Sequence, residues 1–162
     1  MTNKELSQSI RNELKNHGYT SKAVGVSVKD CGYSTSVHVK IKSPEVSRKE
    51  IENLLNHRND YERDERTYEI LNGGNTYIFV DYEIGIFDEV AQEWAATALG
   101  AIKSKTETTK IFDGLYLINF EHSGSLQIRQ QDGREHCTFN VYDFKQLCEF
   151  IYKFSKFGSI AA

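Results

Sequence analysis

The chain has 162 residues, 39% of them hydrophobic and 27% charged, a composition that suits one good core or two small ones and excludes a disordered chain. Its apolar runs fall far short of the roughly 20 residues a membrane helix needs, and the polar opening Met1-Thr2-Asn3-Lys4 carries no apolar signal segment. The formal net charge of −3 argues against imitation of a nucleic acid by the whole surface.

Thr2-Asn3-Lys4-Glu5 is a capping box, and Leu6, Ile10 and Leu14 recur at one-turn spacing as far as Gly18, so the first element is a helix with a narrow buried stripe. Val24, Val26 and Val28 then alternate with polar residues, as do Val37, Val39 and Ile41. A two-residue turn at Gly32-Tyr33 pairs Val28 with Val37, Val26 with Val39 and Val24 with Ile41, which leaves Ser27, Lys29, His38, Lys40 and Lys42 on the opposite face. Ser47 and Glu50 open a second helix with Ile51, Leu54 and Leu55 inward. Residues 57–66 are too charged to bury and read as a helix end and loop. Residues 67–71 and 76–82 read as a second hairpin around Asn72-Gly73-Gly74-Asn75. A long helix is expected over residues 87–103, with Val90, Ala91, Trp94, Ala98 and Ile102 on one side, followed by a polar stretch at residues 103–110.

The remainder reads as three strands and a helix. A turn at Gln131-Asp132-Gly133-Arg134 sets Ile128 against Cys137 and Leu126 against Phe139. A three-residue loop ending in Gly124 sets Phe120 against Leu126 and Ile118 against Ile128. Asp143 and Gln146 cap a last helix whose stripe is Leu147, Phe150, Ile151 and Phe154, ended by Gly158. The expected fold is α+β in two small units. A helix–hairpin–helix–hairpin spans residues 1–84, a connecting helix spans 85–105, and an antiparallel sheet with a C-terminal helix spans 106–162.

Charge is unevenly placed. Residues 61–105 carry four basic and nine acidic groups, a local −5, and Asp81, Glu83, Asp88, Glu89 and Glu93 follow one another with no Lys or Arg between them. All five are candidates for meeting a basic partner; the dipole of the helix that Asp88 and Glu89 open is a competing account of those two, whereas Asp81 and Glu83, on a strand, have no such role. Tyr152 and Phe157 lie off the last helix's apolar stripe and are the expected exposed anchors for a protein interface. Lys29, His38, Lys40 and Lys42 form an alternative face for phosphates. That face has no Arg, and the one aromatic near it is the turn residue Tyr33, so base stacking is poorly provided for and a solvated face is the expectation.

No catalytic pattern is present. Cys31, Cys137 and Cys148 lack metal or disulfide spacing, and His136 and Cys137 point to opposite faces of their strand. Phosphate loops, dinucleotide fingerprints and hydrolase motifs do not occur in the chain. The expectation is a protein that is not an enzyme, with no catalytic residues, metal or cofactor.

The segments IRNELKNHGYTSKAVGVSV, IKSPEVSRKEIENLLNH, NGGNTYIFVDYE and FDEVAQEW, between residues 6 and 94, resemble the N-terminal domain shared by type II-A anti-CRISPR proteins and related proteins of Gram-positive phages and mobile islands. That module is similar to the large-polyvalent-protein-associated α+β domains of mobile-element antirestriction proteins. The resemblance implies a phage or mobile-element inhibitor that binds a type II CRISPR effector nuclease, or its guide-RNA complex, in the cytoplasm of the infected bacterial host. It implies action on protein rather than on nucleic acid or membrane, by an acidic patch that occupies a basic channel and excludes DNA or by an interface that locks or occludes a nuclease domain; the net charge of −3 favours the second route. A nucleic-acid-binding regulator and an antirestriction accessory module are the alternatives.

Overall fold

Asn3–Asn16 forms α1, held at its start by Thr2, whose hydroxyl accepts the Glu5 N–H while the Glu5 carboxylate accepts the Thr2 N–H at 2.7 Å. The Thr2 N–H bond to the carboxylate and, after it, the Thr2 side chain hold the Glu5 carboxyl below its ordinary pKa. The computed structural model describes residues 2–32, 34–59, 61–63, 70–73, 76–104, 106–120, 124–132 and 135–161. Contacts divide the chain into two units, Met1–Ile86 and Phe87–Ala162. The α+β class expected from the sequence is the observed one. Among the described residues no helix is long and apolar enough to cross a membrane.

In the first unit β1 (Val24–Asp30) and β2 (Thr35–Ile41) pair antiparallel with Val28 opposite Val37, Val26 opposite Val39 and Val24 opposite Ile41. This is the register dictated by alternation and a two-residue turn. Gly32 has φ +81° as that turn requires, the Asp30 carboxylate accepts its N–H at 2.9 Å, and Tyr33 is outside the described residues. α2 (Arg48–Leu55) starts at Ser47, whose hydroxyl accepts the Glu50 N–H. Ile10 and Leu14 of α1, with Ile51 and Leu55 of α2, join the alternating valines in one core.

The expected second hairpin is replaced by a different pairing. A 3-10 turn (Asn56–Arg58) and β3 (Tyr61–Arg63) occupy the stretch read as loop, and β3 pairs antiparallel with β4 (Ile70–Gly73). Residues 67–69 of the expected strand lie outside the described residues. β5 (Thr76–Tyr82) instead runs parallel to β2, giving the sheet order β1-β2-β5. The cause is burial. Ile78, Val80 and Tyr82 form an apolar face, and only beside β2 do they join the core of Val37, Val39 and Ile41. A parallel pair needs a long crossover, and α2 is part of it.

Tyr82 closes that crossover: its hydroxyl accepts the Arg48 N–H at 3.0 Å and donates to the Val46 carbonyl at 3.0 Å. Removing the hydroxyl as Tyr82→Phe orphans an α2 N–H and a carbonyl, for an expected loss of about 1 kcal/mol in urea unfolding; an unchanged midpoint would mean that water replaces both bonds.

The second unit begins with α3 (Asp88–Gln92) and α4 (Ala95–Lys103), separated at Glu93–Trp94 where one continuous helix was expected. The Trp94 N–H takes the Ala91 carbonyl at 3.1 Å, a tightened step, and its ring meets Phe112 edge-on at 5.5 Å. Ala91, Ala98 and Ala101 enter the core of this unit, so α3 and α4, within the 85–105 stretch expected as a connecting helix, are part of its fold. β6 (Thr108–Phe112), β7 (Leu115–Phe120), β8 (Ser125–Asp132) and β9 (Glu135–Val141) form an antiparallel sheet in chain order. That is one strand more than expected, because β6 starts within the stretch read as polar linker.

Two registers differ from expectation. β8 and β9 pair Ile128 with Phe139 and Leu126 with Val141, two residues away from the expected register, which preserves the faces. β7 and β8 pair Leu117 with Ile128 and Phe120 with Ser125, one residue away, which exchanges the faces of β7. Leu115 and Leu117 go into the core and Phe120 is exposed. α5 (Phe144–Phe157) begins at Asp143, which accepts the Gln146 N–H at 2.7 Å, and ends at Gly158 with φ +70°.

Candidate functional site

The face of the β1-β2-β5 sheet opposite the first core is built row by row from the two registers. Lys29, Ser36 and Tyr77 form one row, Ser27, His38 and Phe79 the next, and Gly25, Lys40 and Asp81 the third, with Lys42 following on β2's parity. Phe79 is 49% exposed and stacks on the His38 ring at 5.3 Å between centroids and 21° between planes. A large exposed ring at the centre of a polar sheet face loses burial that the same residue would gain one position away, on the parity of Ile78 and Val80.

Lysines flank this ring pair. Lys29 and Lys42 are exposed, and Lys40 Nζ is 3.9 Å from Asp81 Oδ2 with both side chains about half exposed (51% and 55%), a pair too solvated to hold Lys40 firmly. The Lys42 side chain lies over Gly25, 3.0 Å from where a Cβ would be, so glycine keeps this corner open. A side chain takes one backbone group on each outer strand of the sheet. Arg11 Nη2 donates to the Val26 carbonyl at 2.6 Å, and Asn59 Oδ1 accepts the Ile78 N–H at 3.0 Å. The expectation that this basic face lacks stacking groups is corrected: β5 brings Phe79 and Tyr77 onto it.

The five carboxylates are divided between the units. Asp81 and Glu83, both exposed, are at the end of β5, where the Glu83 N–H donates to the Ile41 carbonyl at 2.8 Å. Asp88, Glu89 and Glu93 belong to the second unit. Asp88 Oδ1 accepts from Lys145 Nζ at 2.6 Å, and this bond raises the Lys145 pKa; Glu89 and Glu93 are exposed. Tyr152, expected as an exposed anchor, is buried: its ring packs between Phe87 at 5.8 Å and Phe157 at 6.4 Å, and Phe157 is half-buried. A helical stripe shows only what a helix turns to its own main contact, and Phe87 covers the flank. The exposed aromatics of this unit include Tyr142, 80% exposed, and Phe144.

Next to the Asp88–Lys145 pair is a shallow groove lined by Ala91, Ala95, Phe144 and Cys148. Burial pushes the Cys148 thiol above its ordinary pKa, which makes it a packing group and a poor nucleophile. Cys137 Sγ donates to Gln130 Oε1 at 3.6 Å. Among the described residues no group of three His, Cys, Asp or Glu side chains is placed to hold a metal ion. No protein-family model, curated protein or solved structure matches the chain.

Proposed function

We propose that the chain is a stoichiometric inhibitor of a type II RNA-guided CRISPR nuclease, made by a phage or mobile element and acting in the cytoplasm of the infected bacterium. The reading is carried by the resemblance of residues 6–94 to the N-terminal domain of type II-A anti-CRISPR proteins; this span takes in α1 to β5 and the start of the second unit. Exposed carboxylates of that span, Asp81 and Glu83 in the first unit among them, are negative charge available to an interface with a nuclease whose channels are basic. A net charge of −3 is small beside a duplex with one charge per roughly 1.7 Å. Occlusion or locking of a nuclease domain therefore suits this chain better than imitation of DNA. A contact of about 800 Å² per partner is enough for that and is a small part of its 10520 Å² surface.

The test is a cleavage assay in which the full chain is titrated against the guide-loaded nuclease. Inhibition should saturate near one chain per nuclease. Asp81→Lys combined with Glu83→Lys is expected to raise the half-inhibitory concentration by about tenfold, the scale of a close interfacial charge pair. A nuclease that neither slows nor binds the chain at micromolar concentration removes the reading.

A further inference from the structure

We propose that the open face of the β1-β2-β5 sheet binds single-stranded nucleic acid, with a base stacked on Phe79 and neighbouring phosphates held by Lys29, Lys40 and Lys42. The inference goes beyond the inhibitor reading and does not rest on it.

The central observation is the Phe79–His38 pair, two rings on adjacent strands at 5.3 Å and 21°, with Phe79 49% exposed. A planar platform of this kind accepts any base, because every base has a π-face. Successive rows of one sheet face are separated by about 6.6 Å along the strands, so a strand crossing the face passes Lys29 one row before the rings and Lys40 one row after, with Lys42 beyond. Rings at the centre with ammonium groups on both sides are the combination used by sequence-tolerant single-strand binders. A duplex is disfavoured, since its bases are stacked on each other and offer no free face to Phe79. An acidic polypeptide has charge for the lysines but nothing that needs the rings. Extended peptides bind sheets through their edges, and here Arg11 and Asn59 already occupy edge groups of β1 and β5.

Asp81 gives the proposal a signed consequence. Its carboxylate competes with a phosphate for Lys40 at 3.9 Å and repels the strand, so neutralising it should tighten binding.

The experiment measures fluorescence anisotropy of labelled oligouridine and oligothymidine with the full-length chain over a salt series, against a hairpin duplex and polyglutamate. Phe79→Ala should weaken single-strand binding at least about fivefold, the low end for loss of one stacked base, with an unchanged melting temperature. Phe79→Trp keeps a platform and should retain binding, which separates ring loss from misfolding. Lys40→Ala with Lys42→Ala should flatten the log-affinity against log-salt slope by about 1.4, two phosphates on a single strand. Asp81→Asn should bind the oligonucleotide more tightly, whereas the acidic-surface reading makes the same variant a weaker inhibitor, so the two readings fail separately. The proposal is overturned if neither oligonucleotide binds, if duplex or polyglutamate binds as tightly, or if Phe79→Ala binds like the unsubstituted chain.

Discussion

Replacing Gln130 with leucine is expected to destabilise the second unit by about 3 kcal/mol, because the buried Ile160 N–H and the part-buried Gly158 carbonyl lose their partners. Gln130 is fully buried on β8, opposite Leu115, among apolar side chains. Its amide Nε2 donates to the Gly158 carbonyl at 3.1 Å, and its Oε1 accepts the Ile160 N–H at 3.0 Å. One side chain thus fastens the segment after α5 to the sheet and seats Ile160 in the core. Leucine fills similar space and gains apolar burial, but each orphaned backbone group then carries a desolvation cost of about 1–3 kcal/mol. Gln130→Glu should be worse, since an ionised carboxylate cannot donate to Gly158 and its charge would be buried. Urea unfolding measures both. A leucine variant within about 0.5 kcal/mol of the parent, the spread of ordinary surface substitutions, would mean that the C-terminal segment finds water instead of Gln130.

The first hairpin was legible because two independent signals agree on it. Alternation assigns Val24, Val26 and Val28 to one face, and a Gly32-Tyr33 turn allows one register that keeps Val37, Val39 and Ile41 on that face. The β7–β8 connection offered weaker evidence. β7 has apolar residues on both parities, Leu115 and Leu117 against Ile118 and Phe120, so a slip of one residue left an equally apolar pattern. Only packing against Ile128 and α5 distinguishes the two.

The candidate site depended on information that local pattern does not hold. Ile78, Val80 and Tyr82 mark β5 as a strand and already assign Tyr77, Phe79 and Asp81 to its other face. They do not say which strand lies beside it, and Asn72-Gly73-Gly74-Asn75 is a strong turn signal that favours a local partner. The observed neighbour is β2, whose end precedes β5 by 34 residues, and that pairing alone puts Phe79 on His38 and Asp81 by Lys40. Tyr152 fails for a related reason: its burial comes from Phe87, a residue outside its helix.

Ile51→Ala should cost the first unit about 2–5 kcal/mol, the range for a fully buried isoleucine. Ile51 is 0% exposed and projects from α2 into the cluster with Ile10, Val39 and Val80. Leu54, on the same helix but only partly buried, should lose less when cut to alanine, which makes it the internal control. The substitution also bears on the sheet face. α2 carries the crossover that lets β5 lie parallel to β2, and Tyr82 ties the end of β5 to the start of α2. A cavity beneath α2 should therefore appear as faster hydrogen exchange in the β5 amides, and with it a less populated Phe79–His38 platform. A loss below about 1 kcal/mol, or β5 amides that exchange as slowly as before, would show that β5 holds its place beside β2 without the packing of α2.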